Sequence, residues 1–197
     1  MSMEDVLDRL KSDAEELKKW VGVYIGVLAV LLAVCNVGGA NAAKDATRAN
    51  IEASNIWAFF QAKNLRRTVY TVAADDLEAM LATQQGLAGA ARKVVEDKIA
   101  VHRSEAARMR SEPKAGDGAE QLFAKAKALE VERDIALRKD PYFDWSQALL
   151  QIAIVLASVY LIVGSFLLLG LSGGLAGLGI LLMLNGYTLA VALPLLG

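Results

Sequence analysis

The sequence predicts an all-α integral membrane protein, with three transmembrane helices and a long helical hairpin or coiled-coil-like polar region between the first and second. Two observations carry that expectation. Residues 20–37 are 18 positions without a charge, and residues 148–197 are a second uncharged stretch of 50. At 1.5 Å per residue the first is roughly 27 Å long, near the thickness of a bilayer core, and the second is long enough for two crossings and a turn. A buried helix of a globular protein explains 18 apolar residues but hardly 50.

The remaining elements follow in chain order. Residues 1–19 read as an amphipathic helix, with Val6, Leu7, Leu10, Ala14 and Leu17 at helical spacing among charges. Residues 20–38 are the first crossing, opened by Trp20 at the interface where an indole prefers to sit. Within it, Gly22 and Gly26 are spaced to let another helix backbone approach closely. Val37-Gly38-Gly39 offers either an end to this helix or a bend within a continuing one. Lys18-Lys19, the apolar stretch and Ala40-Asn41-Ala42 imitate a cleavable signal peptide, and we read the segment as a retained anchor.

Residues 39–146 form the extramembrane helical region, with a turn near 84–89 and a break near 111–118, where SEPKAGDG interrupts the return arm. Along its first arm Ile51, Ala58, Leu65, Val72 and Ala79 recur every seven residues, and Ala62, Val69 and Leu77 broaden the stripe. Such a seam needs a partner. Asp140-Pro141 suggests a helix start, followed by the aromatic anchor Tyr142, Phe143 and Trp145. The second crossing is assigned to 147–171 and the third to 174–195, joined through GLSGG.

Charge balance limits the function classes. Residues 1–19 hold six acids and four bases and residues 38–147 hold 16 acids and 17 bases, so the positive excess of a nucleic-acid binder is missing. The single cysteine, Cys35, excludes an intrachain disulfide. His102 stands alone beside Arg103 and Glu105, which favours a surface residue over a metal ligand or base. The chain has no H-E-x-x-H, glycine-rich phosphate loop or G-x-S-x-G elbow, so no enzyme, cofactor or metal is expected. The carboxylate groups around Asp75 and Glu130 are expected to face water.

Polar residues inside the apolar stretches carry more weight, because a bilayer offers no water to satisfy them. Gln151 and Asn185 are the intramembrane polar candidates, and Asn185 is expected mid-helix, bonded between helices. Trp57, Phe59, Phe60, Gln61 and Lys63, together with Gly22 and Gly26, are the interface candidates. Each step along a helix turns by about 100°, so three neighbouring aromatics cannot share one narrow seam and some must meet a second surface.

The order of an N-terminal crossing, WAFFQAKNLRRTVY, KAKALEVERD, LLQIAIVLASVYLIVG and LNGY resembles the uncharacterised bacterial membrane-protein family catalogued as domain of unknown function 4337. The resemblance covers nearly the whole chain and rests most on Trp57, Gln61, Ala62, Lys63, residues 151–158 and Asn185-Gly186. It implies a small bacterial membrane protein of this layout and supplies no catalytic residue. SEPKAGDG departs from the more continuous helix associated with that family.

The expected role is a homo-oligomeric membrane scaffold or partner-binding protein, with a passive channel or transport-accessory subunit as the alternative. Expected partners are membrane lipid, further copies of the chain and an unidentified membrane or envelope protein. The flanking Lys18 and Lys19 favour a cytoplasmic N-terminus in a bacterial inner membrane, with the polar region periplasmic.

Overall fold

The computed structural model describes residues 3–84, 86 and 89–193, with only the backbone described at 3–12 and 14. Four helices make up the described chain: α1 (Met3–Thr83), α2 (Ala90–Arg110), α3 (Ala119–Val163) and α4 (Phe166–Thr188). Helices α1, α3 and α4 each carry a stretch long and apolar enough to cross a membrane, whereas α2 is shorter and polar. The chain is therefore all-α with a multi-pass membrane topology. The stripe of Val6, Leu7, Leu10 and Ala14 lies outside the described side chains.

Several boundaries differ from the sequence reading, each for a physical reason. Helix α1 is uninterrupted for 81 residues, so Gly38 and Gly39 lie inside it rather than ending it. Their role is close approach. A Cβ built on Gly38 would stand 2.5 Å from Phe143 Cε1, and one on Gly39 would stand 3.2 Å from Phe143 Cβ. Pro141 likewise lies within α3 instead of starting a helix. Proline removes one backbone hydrogen bond, but the residues directly after it, Tyr142, Phe143 and Ser146, are buried and hold the backbone by packing.

The turn between the last two crossings falls at Gly164-Ser165, not at 170–174. Gly164 has φ +72°, a left-handed conformation that glycine adopts without a steric penalty, and its N–H still bonds the Tyr160 carbonyl at 2.7 Å. GLSGG is helical because unpaired backbone groups are costly in apolar surroundings. Helix α4 ends at Thr188, followed by Leu189 at φ 49°. The expected end near 195 lies outside the described residues.

The chain divides into two compact units, residues 1–46 with 134–197, and residues 47–133. The first gathers the three apolar stretches. Leu28, Cys35, Ala42, Phe143, Leu150, Ala153, Ala176 and Met183 form its main core, and Val21, Ala157 and Tyr160 form a second cluster. Small side chains predominate, so the helices approach closely, as membrane helices do when packing and hydrogen bonds supply the attraction. Only 22–28% of each most apolar window is buried, leaving the rest for lipid to cover.

Hydroxyl hydrogen bonds tie these helices together. Ser146 Oγ donates to the Gly179 carbonyl (2.7 Å), Ser172 Oγ donates to the Ala153 carbonyl (2.7 Å), Tyr24 OH meets Ser172 Oγ (3.1 Å) and Tyr187 OH donates to the Val34 carbonyl (3.0 Å). The pairings run α3 antiparallel to α4, and α1 alongside α4 in the same direction. Each satisfies a hydroxyl that lipid could not.

The second unit, residues 47–133, draws on α1, α2 and the start of α3. Ala49, Ala53, Lys63 and Ala74 are the buried positions of α1 there, and Ala106 and Met109 of α2 and Ala119, Leu122, Ala126 and Leu129 of α3 are buried in the same unit. Between α2 and α3 the 111–118 link is held by Gln121, whose Oε1 accepts the Glu112 N–H (3.2 Å) and whose Nε2 donates to Ser111 Oγ (3.0 Å). Gly118 is required there, since a Cβ would collide with the backbone at Ser111 and Glu112.

Gly38→Ala and Gly186→Ala should each destabilise the first unit by about 1–3 kcal/mol through overpacking against Phe143. Gly22→Ala, which meets nothing within 4 Å, should leave stability unchanged or raise it by up to about 1 kcal/mol through helix propensity. Thermal unfolding of the three variants in one detergent checks the ordering; equal losses would show that the close approach to Phe143 is not what constrains these glycines.

Candidate interaction surface

Three of the aromatics and cations singled out in the sequence turn inward. Trp57 lies edge-on to Phe60 and to Phe123 of α3, both with ring centroids 5.4 Å away, and Phe60 meets Phe123 at 5.9 Å. The Trp57 indole N–H donates to Glu130 Oε1 at 2.9 Å, and Lys127 Nζ stands 5.6 Å from its ring while bonding Glu130 Oε2 at 2.7 Å. Buried indoles find such acceptors because an unpaired N–H is costly. Lys63 is 5% exposed, and its ammonium bonds Asp117 Oδ2 in the 111–118 link (2.8 Å) and sits 5.5 Å from the Phe59 ring.

The rest remain on the outside. Phe59 is 42% exposed and Gln61 is exposed. The heptad stripe shares that exposure: Ile51 is 56% exposed, Leu65 67%, Val69 60% and Val72 50%, with Ala58, Ala62 and Ala79 also exposed. Helix α1 thus has two apolar faces in this unit. The small one is occupied by the chain's own helices and the larger one is open. Gly22 and Gly26 are exposed too, with no heavy atom within 4 Å of an added Cβ.

The intramembrane amides separate in the same way. Gln151 is exposed on α3. Asn185 is not mid-helix and does not bridge helices; it lies in the last turn of α4, where Nδ2 donates to the Val191 carbonyl (2.8 Å) and Oδ1 accepts the Val191 N–H (2.9 Å). The helix ends earlier than its hydropathy suggests, and this amide satisfies the backbone where it unwinds.

Ionic groups in the polar unit are largely paired with one another. Arg103 bonds Asp75 Oδ1 (2.6 Å) and both carboxylate oxygens of Glu78 (3.1 Å each), and those carboxylates, Glu78 foremost, hold its guanidinium above its ordinary pKa. Arg48 pairs with Glu52 and Glu132, and Arg110 pairs with Glu120 (2.8 Å). His102 is half-buried rather than a free surface residue, packed 5.8 Å from the Tyr70 ring with Nδ1 unpartnered. Among the described residues no three His, Cys, Asp or Glu side chains cluster as metal ligands would.

Sequence reasoning passed over several residues that matter here. Ser172 lies in the glycine-rich stretch that reads as a turn and Ser146 just ahead of the second apolar stretch, so local pattern marks neither as an intramembrane polar group. Asp117 and Glu130 gave no local signal, because their partners Lys63 and Trp57 are 54 and 73 positions away.

Residues 17–189, which contain the three apolar stretches, the Trp57 cluster and Asn185, match the family described as Domain of unknown function (DUF4337). The chain belongs to this family. No curated protein and no solved structure matches it. Family membership leaves the surface described above as the main guide to function.

Two outcomes are expected. Asp117→Asn should destabilise the polar unit by about 1–2 kcal/mol, allowing for the partial exposure of Asp117, because it strands the Lys63 ammonium; Lys63→Met, which removes the charge and keeps the stem, should cost less. Chemical denaturation of both variants decides the order. The second outcome concerns pH. Hydrogen bonds from Lys127 and then Trp57 hold the Glu130 carboxyl below its ordinary value. A depressed folded pKa means that the contribution is complete above the unfolded value, about 4.3, and is lost as pH falls through the folded one. Trp57 emission, read with Trp20 and Trp145 replaced by phenylalanine, should stay constant down to that range and change only below it. A transition above pH 5 would count against this pairing.

Proposed function

We propose that the protein is a homo-oligomeric membrane scaffold or partner-binding protein that presents helical arms outside the bilayer. The observation carrying this reading is the open apolar face of α1 between Ile51 and Val72, in a unit otherwise rich in charge. Large apolar groups in water lose the stabilisation that burial gives, roughly 25 cal/mol per Å², and association is the general way to recover it. The arm itself is a helical hairpin with coiled-coil-like spacing. Support comes from the pairings Arg48–Glu132, Trp57–Phe123, Lys63–Asp117 and Asp75–Arg103, in which later residues of α1 meet earlier residues of the returning chain. Phe59 and Gln61 extend the open face.

The membrane is the bacterial inner membrane. The N-terminus is cytoplasmic, favoured by Lys18 and Lys19 directly before the first span, and the arms are periplasmic. A passive channel or transport-accessory role is the second reading, favoured by one observation: Gln151 places an amide on the exposed side of an apolar helix, where an assembly could line a wet path with it.

The mass of the complex in lipid nanodiscs, with lipid and protein separated, tests the proposal. A single discrete value at a multiple of 21.1 kDa is expected. A clean monomer would sink the oligomeric scaffold and leave the open face to a different protein.

A further inference from the structure

We infer that the open face of α1 between Ile51 and Val72 docks a second copy of the same helix, parallel and in register, as a two-stranded coiled coil. This rests on the oligomeric reading above and names the surface and direction of contact.

The spacing supports the pairing first. Ile51, Asn55, Ala58, Ala62, Leu65, Val69 and Val72 alternate four and three residues apart, the a/d pattern whose knobs fit the holes of an identical helix. Every one of these positions is exposed. The buried positions of α1 in this unit lie on the other side, and α1 meets α2 and α3 through Tyr70–His102, Asp75–Arg103 and Trp57–Phe123, so the seam is not needed for the fold of a single chain.

Direction follows from the membrane. The helix carrying the seam is the same uninterrupted helix that carries the first apolar span. Copies inserted in the same orientation hold α1 in the same direction, so two such helices meet parallel, with each residue opposite its own counterpart. Parallel pairing also suits the flanks. It brings Gln61 of one copy beside Arg66 of the other, Ser54 beside Phe59 and Thr68 beside Ala73, so the Gln61 amide oxygen accepts from the guanidinium and no like charges meet.

The same logic limits the contact. Arg48 and Asp76 occupy the next a positions on either side, where a symmetric parallel pair would oppose like charges, so the seam closes at Ile51 and Val72. Inside it Asn55 is the single polar a position. Two asparagine side chains there hydrogen-bond only when the copies are in register, which fixes alignment and favours two strands.

Cysteine cross-linking tests this in proteoliposomes of the full chain. Native Cys35 is fully buried, so the wild-type chain serves as the blank. Leu65→Cys and Val69→Cys probe the seam, and Ala100→Cys, exposed on α2, probes a surface away from it. Disulfides need Cα atoms within about 7 Å, so both seam variants should form covalent dimers at least about tenfold faster than Ala100→Cys. The nanodisc mass of the same samples separates the two ideas. An oligomer without preferential seam cross-linking overturns this interface and leaves the scaffold reading standing. A monomer overturns both. An adduct of the seam cysteines with a different protein, with no covalent dimer, overturns the second copy as occupant.

Discussion

The membrane part of this protein is organised by one aromatic side chain in a notch of missing side chains. Phe143 is 1% exposed, and the space that it fills exists because Gly38, Gly39 and Gly186 carry no Cβ. Helices α1 and α4 reach α3 at that point, and Tyr187 completes the enclosure with its ring edge-on at a 4.9 Å centroid separation. The nearby hydroxyl bonds depend on that proximity, since Tyr187 reaches the Val34 carbonyl only if the backbones are close. In lipid, where apolar side chains gain little by leaving their surroundings, such fit replaces the hydrophobic drive of a water-soluble core.

The polar unit obeys a different rule, because water restores the cost of exposing apolar surface. There α1 divides its circumference between alanines that let its own helices come near and larger residues that no part of the described unit covers. Trp57 and Lys63 belong to the inner side despite their size and charge, each held by a carboxylate from the returning chain. The two sides impose separate demands on one sequence. A substitution on the inner side disturbs the packing of the chain's own helices, while one on the outer side changes residues that are exposed in the single chain.

The helical class and the three apolar spans were legible because both depend on local composition: charge is absent from two stretches, and period and length do the rest. The heptad from Ile51 to Ala79 was visible for the same reason, and its d positions are exposed in the single chain. Boundaries inside the spans were less legible. Glycine reads locally as a breaker, but Gly38, Gly39 and the GLSGG stretch remain helical because distant packing and the cost of unpaired backbone in lipid outweigh its flexibility. Pro141 is another case, held within α3 by the burial of the residues that follow it. Of the proposed contact residues, pattern alone could not separate Trp57, Phe60 and Lys63 from Phe59 and Gln61, since their direction is set by Phe123, Asp117 and Glu130 far along the chain.

The end of α4 has a further consequence. Asn185 takes both the N–H and the carbonyl of Val191, and Tyr142 OH donates to that same carbonyl (3.2 Å) while accepting the Leu193 N–H (3.0 Å). Where a helix unwinds, its freed backbone groups ordinarily need solvent, and that need places helix ends at the membrane boundary. Here side chains perform the solvent's task. The depth at which α4 stops is thereby less tied to the position of the water, because the Val191 backbone and the Leu193 N–H keep partners even inside an apolar layer.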